Sequence, residues 1–158
     1  MKRIKTVALL IGVILFSCSP EYPLDLGNGY SLDYDSWSHL YILDTNNTVV
    51  INAHIVAYAF NSTYVLVEQK PRGEILKDFF HNTEVTLSEI EKIFRESPLR
   101  YYWILNKKEK NESIGSVGED VNWHRTIYSN VYGPYSKEQF EQKRKELGIS
   151  DLLKLSEE

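Results

Sequence analysis

Between Gly29 and Lys70 the chain packs five β-forming runs so closely in sequence that a parallel arrangement is ruled out. Tyr30-Ser-Leu-Asp-Tyr34 alternates, and His39 to Leu43 follows. Asp44-Thr-Asn-Asn-Thr48 is rich in turn formers and gives way to β-branched Val49-Val-Ile51. His54 to Phe60 and Tyr64 to Gln69 then flank Asn61-Ser62-Thr63, which reads as a hairpin turn. A parallel crossover needs a dozen residues or more, so strands joined this tightly must pair antiparallel.

Downstream, Pro71-Arg72-Gly73 breaks the strand pattern, and Glu74 to Phe80 has room for a helical turn or two. Thr86-Leu-Ser-Glu89 is a capping box. The Thr86 hydroxyl can accept from the Glu89 amide while the Glu89 carboxylate returns to the Thr86 amide. Leu87, Ile90, Ile93 and Phe94 share one face of the helix that follows, and Pro98 ends it. Tyr101 to Leu105 (YYWIL) is a strand. Asn106 to Asn122 is polar with two glycines and reads as a long mobile loop, and Thr126 to Tyr132 returns as a strand. Gly133-Pro134 reads as a turn into a second capping box, Ser136-Lys-Glu-Gln139, whose helix runs to Leu147 with Gly148 at C′. The fold class expected is therefore α+β: one antiparallel sheet of about five to seven strands with two main helices on one face or end.

The N-terminus has a different character. Lys2, Arg3 and Lys5 precede an uncharged apolar run from Thr6 to Phe16, far short of the ~20 residues a helix needs to span a bilayer but typical of a signal-peptide core. The run closes on Leu15-Phe16-Ser17-Cys18, which resembles the lipobox of bacterial lipoprotein precursors. The resemblance implies cleavage between Ser17 and Cys18 and diacylglyceryl attachment to the Cys18 thiol, with an acyl chain such as palmitate on the new amine. Two or three chains anchor a protein stably where one is marginal. The division that follows is a signal peptide over 1–17, a lipidated cysteine and tether over 18–28, and a single domain over 29–158. Ser19 after the cysteine implies, in an organism with two membranes, the outer one.

A second resemblance covers the C-terminal half. Tyr101-Tyr-Trp-Ile-Leu-Asn-Lys-Lys, Val131-Tyr-Gly-Pro-Tyr-Ser-Lys-Glu-Gln-Phe and Arg144-Lys-Glu-Leu-Gly-Ile look like small bacterial lipoproteins of unknown function. Gly27-Asn28-Gly29-Tyr30 loosely matches their opening. That resemblance carries no catalytic residue, and Gly133, Pro134 and Ser136 are expected to shape the turn and cap the helix.

Several chemistries find no support in the sequence. Cys18 is the sole cysteine, so neither a disulfide nor a cysteine-rich zinc site can form, and its lipidation would remove the only thiol nucleophile. His39, His54, His81 and His124 lie in separate segments with no ligand spacing, so no metal and no cofactor are expected. There is no Gly-x-Ser-x-Gly elbow and no phosphate loop. A formal net charge of −4 lacks the basic footprint of a nucleic-acid binder. Asp33/Asp35, Glu119/Asp120 and Glu157/Glu158 are carboxylate pairs, and the first suits a solvated strand edge better than a glycosidase pair. Tyr30, Tyr34, Trp37, Tyr41, Tyr101, Tyr102, Trp103, Tyr128, Tyr132 and Tyr135 either line a groove for a protein, peptide or glycan, or pack the core and its rim. The function expected is a non-enzymatic binding or structural module on an extracytoplasmic membrane face, periplasmic or at the cell surface, with the membrane itself as partner through Cys18. An inhibitor or immunity-type lipoprotein and an envelope hydrolase are the alternatives.

Overall fold

The computed structural model describes residues 22–36, 39–79, 85–117 and 125–157. The expected signal peptide over 1–17, the expected cleavage position between Ser17 and Cys18, His81, His124, Trp37 and the Glu119/Asp120 pair lie outside the described residues.

Among the described residues ten strands and three helices run in the order β1 (Leu24–Gly27), β2 (Tyr30–Tyr34), β3 (Leu40–Leu43), β4 (Val49–Phe60), β5 (Tyr64–Gln69), α1 (Arg72–Leu76), α2 (Leu87–Glu96), β6 (Tyr101–Asn106), β7 (Ser113–Val117), β8 (Arg125–Tyr128), β9 (Val131–Tyr135), α3 (Lys137–Glu146) and β10 (Ser156–Glu157). The main sheet follows the path β1-β2-β3-β4-β5-β6-β9, every pair antiparallel. It is an α+β fold, with helices α2 and α3 of ten residues each. β4 is twelve residues long. One edge of its first half pairs with β3, whose last partner is Ile55, while Ala57 and Tyr58 pair with β10.

The sheet is rolled, and three hydrogen bonds prove it. Neighbouring strands lie about 4.8 Å apart, so in a flat sheet β1 and β6, five steps distant, would be separated by about 24 Å. Yet Lys107, just past β6, donates its ammonium to the carbonyl of Leu26 on β1, and the Asn28 amide donates to the Lys107 carbonyl at 3.1 Å. Asn130, between β8 and β9, likewise donates to the Tyr30 hydroxyl on β2 at 2.7 Å. The inside of the roll holds the larger core, where Leu32, Ile42, Val65, Val67 and Leu105 are wholly buried. The outside of β5 and β6 carries a smaller one, in which Leu66, Tyr102 and Ile104 meet Phe140 of α3 and Ile149 beyond it. The period-2 alternation of β5 and β6 thus feeds two cores at once.

Both capping boxes form as the sequence predicts. Thr86 accepts from the Glu89 amide at 3.3 Å and Ser136 from the Gln139 amide at 3.3 Å, each with the reciprocal bond in place. Gly148 sits at φ +65°, and the Ile149 amide reaches the Arg144 carbonyl at 2.9 Å. This closes α3 in a Schellman turn, with Ile149 buried as its apolar contact.

Three expectations are corrected. Leu24–Gly27, read as part of the tether over 18–28, is an edge strand because Leu26 inserts into the core at 1% exposure. The Asn106–Asn122 loop contains β7, which exists by pairing with β8 although Ser-Ile-Gly-Ser-Val has little strand propensity of its own. Gly133-Pro134 is not a turn between elements but the interior of β9. Ile104 faces Tyr132 while Tyr102 faces Tyr135, so the two residues form a bulge on a sheet edge, where a missing N–H is tolerated.

At that bulge Gly133 has φ +130°, and an added Cβ would lie 2.7 Å from the Tyr102 carbonyl oxygen and 2.8 Å from Trp103 Cε3. Gly133→Ala should therefore cost about 2–4 kcal/mol. Ser136→Ala, which removes only a cap, should cost about 1 kcal/mol. Urea melts of the two variants check the order, and equal losses would show that the bulge tolerates a side chain.

Candidate functional site

The middle of β4 does not follow the ladder. Ile42 pairs with Ile51 and Leu40 with Ile55, so two residues of β3 span four of β4, and Asn52 to His54 bulge out. His54 has φ +70°, a conformation rare for a residue other than glycine. The bulge is held from behind by Gln69, 4% exposed on β5. Its amide donates to the carbonyls of Asn52 at 2.8 Å and Ala53 at 3.0 Å, and its own oxygen accepts from the Trp103 indole at 2.9 Å. The Lys70 amide donates to the His54 carbonyl at 2.9 Å. The strained residue is thus fixed by a satisfied buried network.

That network points the His54 ring toward two others. It lies 4.0 Å between centroids from His39 and 4.9 Å from Phe94 of α2. His39 is tied to Asp35, ring Nδ1 to Oδ2 at 3.2 Å, and its amide donates to the other carboxylate oxygen at 2.9 Å. Arg72 stacks over Phe94 and donates to Glu91 at 2.6 Å. Lys70 approaches the same ring and donates to the Arg95 carbonyl at 2.7 Å. In front of the bulge lies a cavity of about 770 Å³ at the mouth of the roll, walled by Ile51, Tyr101, Trp103 and Pro134 and edged by Tyr41, Asn52, His54 and Arg72. That volume falls within the range of small-molecule sites, roughly 300–1,000 Å³.

A family model described as a protein of unknown function, DUF3997, matches residues 27–158. The chain belongs to this family. No curated protein and no solved structure matches it. The bulge, the paired histidines and the cavity all lie in the part that defines a DUF3997 domain, and Leu15-Phe16-Ser17-Cys18 lies before it.

Of the residues singled out in the sequence, the DUF3997 fold brings His39 and His54 together although they are on different strands. Among the described residues no three His, Cys, Asp or Glu side chains gather as a metal site. Asp35 braces a loop instead of pairing with Asp33. The aromatics divide: Tyr30, Tyr102, Trp103 and Tyr128 are core, Tyr34 is half exposed, and Tyr41, Tyr101 and the edge of Trp103 reach the cavity. Gln69, Asn52 and Arg72 carry the site and were not anticipated. Their one trace in the sequence is Asn52-Ala53, where the apolar pattern breaks between Ile51 and His54.

Burial, with the positive charges of His39 and Arg72, pushes the His54 imidazole down to about 4 against an ordinary 6.5, while Asp35 and Glu91 oppose the shift. The ring is therefore neutral at physiological pH. Between these two values the unfolded chain holds a proton that the folded chain does not. The stability that neutral His54 contributes is complete above about pH 6.5 and is lost as pH falls toward 4. His54→Asn keeps a residue that tolerates positive φ but removes the titration. Over a series of melts from about pH 7.5 to about pH 4, wild type should lose more Tm than this variant, the carboxylates being common to both. Parallel curves would mean that His54 titrates as it does in the unfolded chain.

Proposed function

We propose that this DUF3997 protein is a bacterial envelope lipoprotein, anchored through acyl chains on Cys18, whose domain is a non-enzymatic binding module with its ligand site at the mouth of the roll. The anchor is supported by the basic start, the short apolar run and Leu15-Phe16-Ser17-Cys18. No helix among the described residues is long and apolar enough to cross a membrane. The observation that carries the binding role is His54, held at positive φ with its ring at the cavity edge by the buried Gln69 network. Backbone strain kept in place by surrounding structure is a mark of functional positions.

The chain geometry relates anchor to site. Tyr22 packs edge-on against Tyr34, at the end of β2 beside Asp35 and the cavity. Five residues separate Cys18 from Leu24, at most about 20 Å of chain. The domain is thus tethered by the end that carries the mouth, and the ligand is met close to the bilayer.

Replacing Cys18 with Ser should abolish labelling by a clickable fatty acid and release the protein from membranes in a high-pH wash; retained label and retention would refute the anchor. For the site, Asn52→Trp places a large ring at an exposed position on the cavity edge. Material captured from envelope extracts by wild type should be missing from the Asn52→Trp capture, and identical captures would locate binding elsewhere.

A further inference from the structure

We propose that the mouth cavity takes an uncharged saccharide, because every charged side chain around it is committed to another while Tyr41, Asn52 and His54 present neutral groups with no hydrogen-bond partner among the described residues. The inference rests on the reading of the mouth as a ligand site.

The commitments are specific. Arg72 holds Glu91 at 2.6 Å, Lys77 holds Glu74 at 2.7 Å, and both oxygens of Asp35 are engaged by His39. An ionic ligand would have to displace one of these partners to reach a charged group. What remains is a phenol hydroxyl, a carboxamide and an imidazole, each able to donate and to accept. The imidazole is neutral because burial holds its pKa near 4. Sugar hydroxyls have the same dual character, so each of the three can satisfy a hydroxyl in either sense. The opposite wall is apolar, formed by Ile51, Tyr101, the edge of Trp103 and Pro134. A pyranose ring has that same division, an apolar C–H face and a hydroxyl rim, and the cavity presents its complement.

The test uses the full lipidated chain in phosphocholine micelles, which carry no sugar headgroup, and titration calorimetry. The probes are matched pairs: N,N′-diacetylchitobiose with its cationic deacetylated form, and maltose with anionic maltobionic acid; alanyl-tyrosine serves as a peptide probe. A neutral disaccharide should bind more tightly than its charged counterpart. Tyr41→Phe and Asn52→Ala should each weaken it about three- to tenfold, the effect of one lost hydrogen bond. Among the described residues the side chains of Tyr41 and Asn52 make no hydrogen bond, so both variants should melt as wild type does. Binding that holds from about pH 8 to about pH 5.5 and fails as His54 protonates near 4 would support the same arrangement. If charged sugars or the dipeptide bind in a manner sensitive to Tyr41→Phe while neutral disaccharides do not, the saccharide class is overturned and the site stands. If no probe binds, or none responds to either substitution, the saccharide and the mouth site fall together.

Discussion

The structure depends on closing a seven-strand path into a roll, and that closure is made by polar groups inside it. Lys107, 6% exposed, reaches the Leu26 carbonyl, and Asn130, fully buried, joins Tyr30 to the Asn106 carbonyl at 3.1 Å. Burial lowers the Lys107 pKa and Asp25 works against that fall, while the Leu26 carbonyl accepts from the amine. A buried amide or ammonium is costly unless paired, so these groups specify one closure geometry among the many that apolar packing alone would accept. Flattening the sheet would strand all of them and open the larger core to water.

The bulge in β4 follows from that closure. A twelve-residue strand in a tightly rolled sheet cannot hold one register along its whole length. β3 serves its first half and β10 its second, and β5 runs past both with a further register shift between Ile55 and Ala57. The irregular residues gather at Asn52–His54, and Gln69 supplies the donors that the ladder no longer can. Bulges commonly re-aim side chains at the rims of barrels. Here the re-aimed group is an imidazole placed where the roll opens.

Local features were legible in the sequence, and contacts across the roll were not. The boxes at Thr86/Glu89 and Ser136/Gln139 and the C′ glycine at 148 involve residues within one turn of each other, so their chemistry is written in spacing. The antiparallel order from β2 to β5 followed from short connections. By contrast, the Asn28–Lys107 and Tyr30–Asn130 bonds join residues 79 and 100 positions apart, and no period or motif encodes them. β1 and β7 were missed for the same reason, since each is a strand only because a neighbour pairs with it. Gly133-Pro134 was misread because an edge bulge and a turn call for the same two residue types. Of the site, the histidines were noticed, but their stacking required the bulge, whose only trace was a polar break at Asn52-Ala53.

The two main helices carry equally good caps and very different anchorage. α3 buries Phe140 and Arg144, and the Arg144 guanidinium donates to the carbonyls of Ser150 and Leu153 at 3.1 and 2.9 Å, tying down the C-terminal segment. α2 buries no residue, and Leu87 on its apolar face is 82% exposed. It is held to the body by Arg72–Glu91, by Lys70 on the Arg95 carbonyl and by half-buried Phe94. Exposed ion pairs contribute little, so the free energy of lifting α2 lies far below that of unfolding the roll. Phe94 and Glu91 are also the groups that α2 brings against His54 and Arg72. The site therefore combines a rigid floor, fixed by Gln69 and Trp103, with one side attached weakly. Lifting α2 would hydrate His54 and separate it from Phe94, so the lowered pKa of the ring is a property of the closed arrangement.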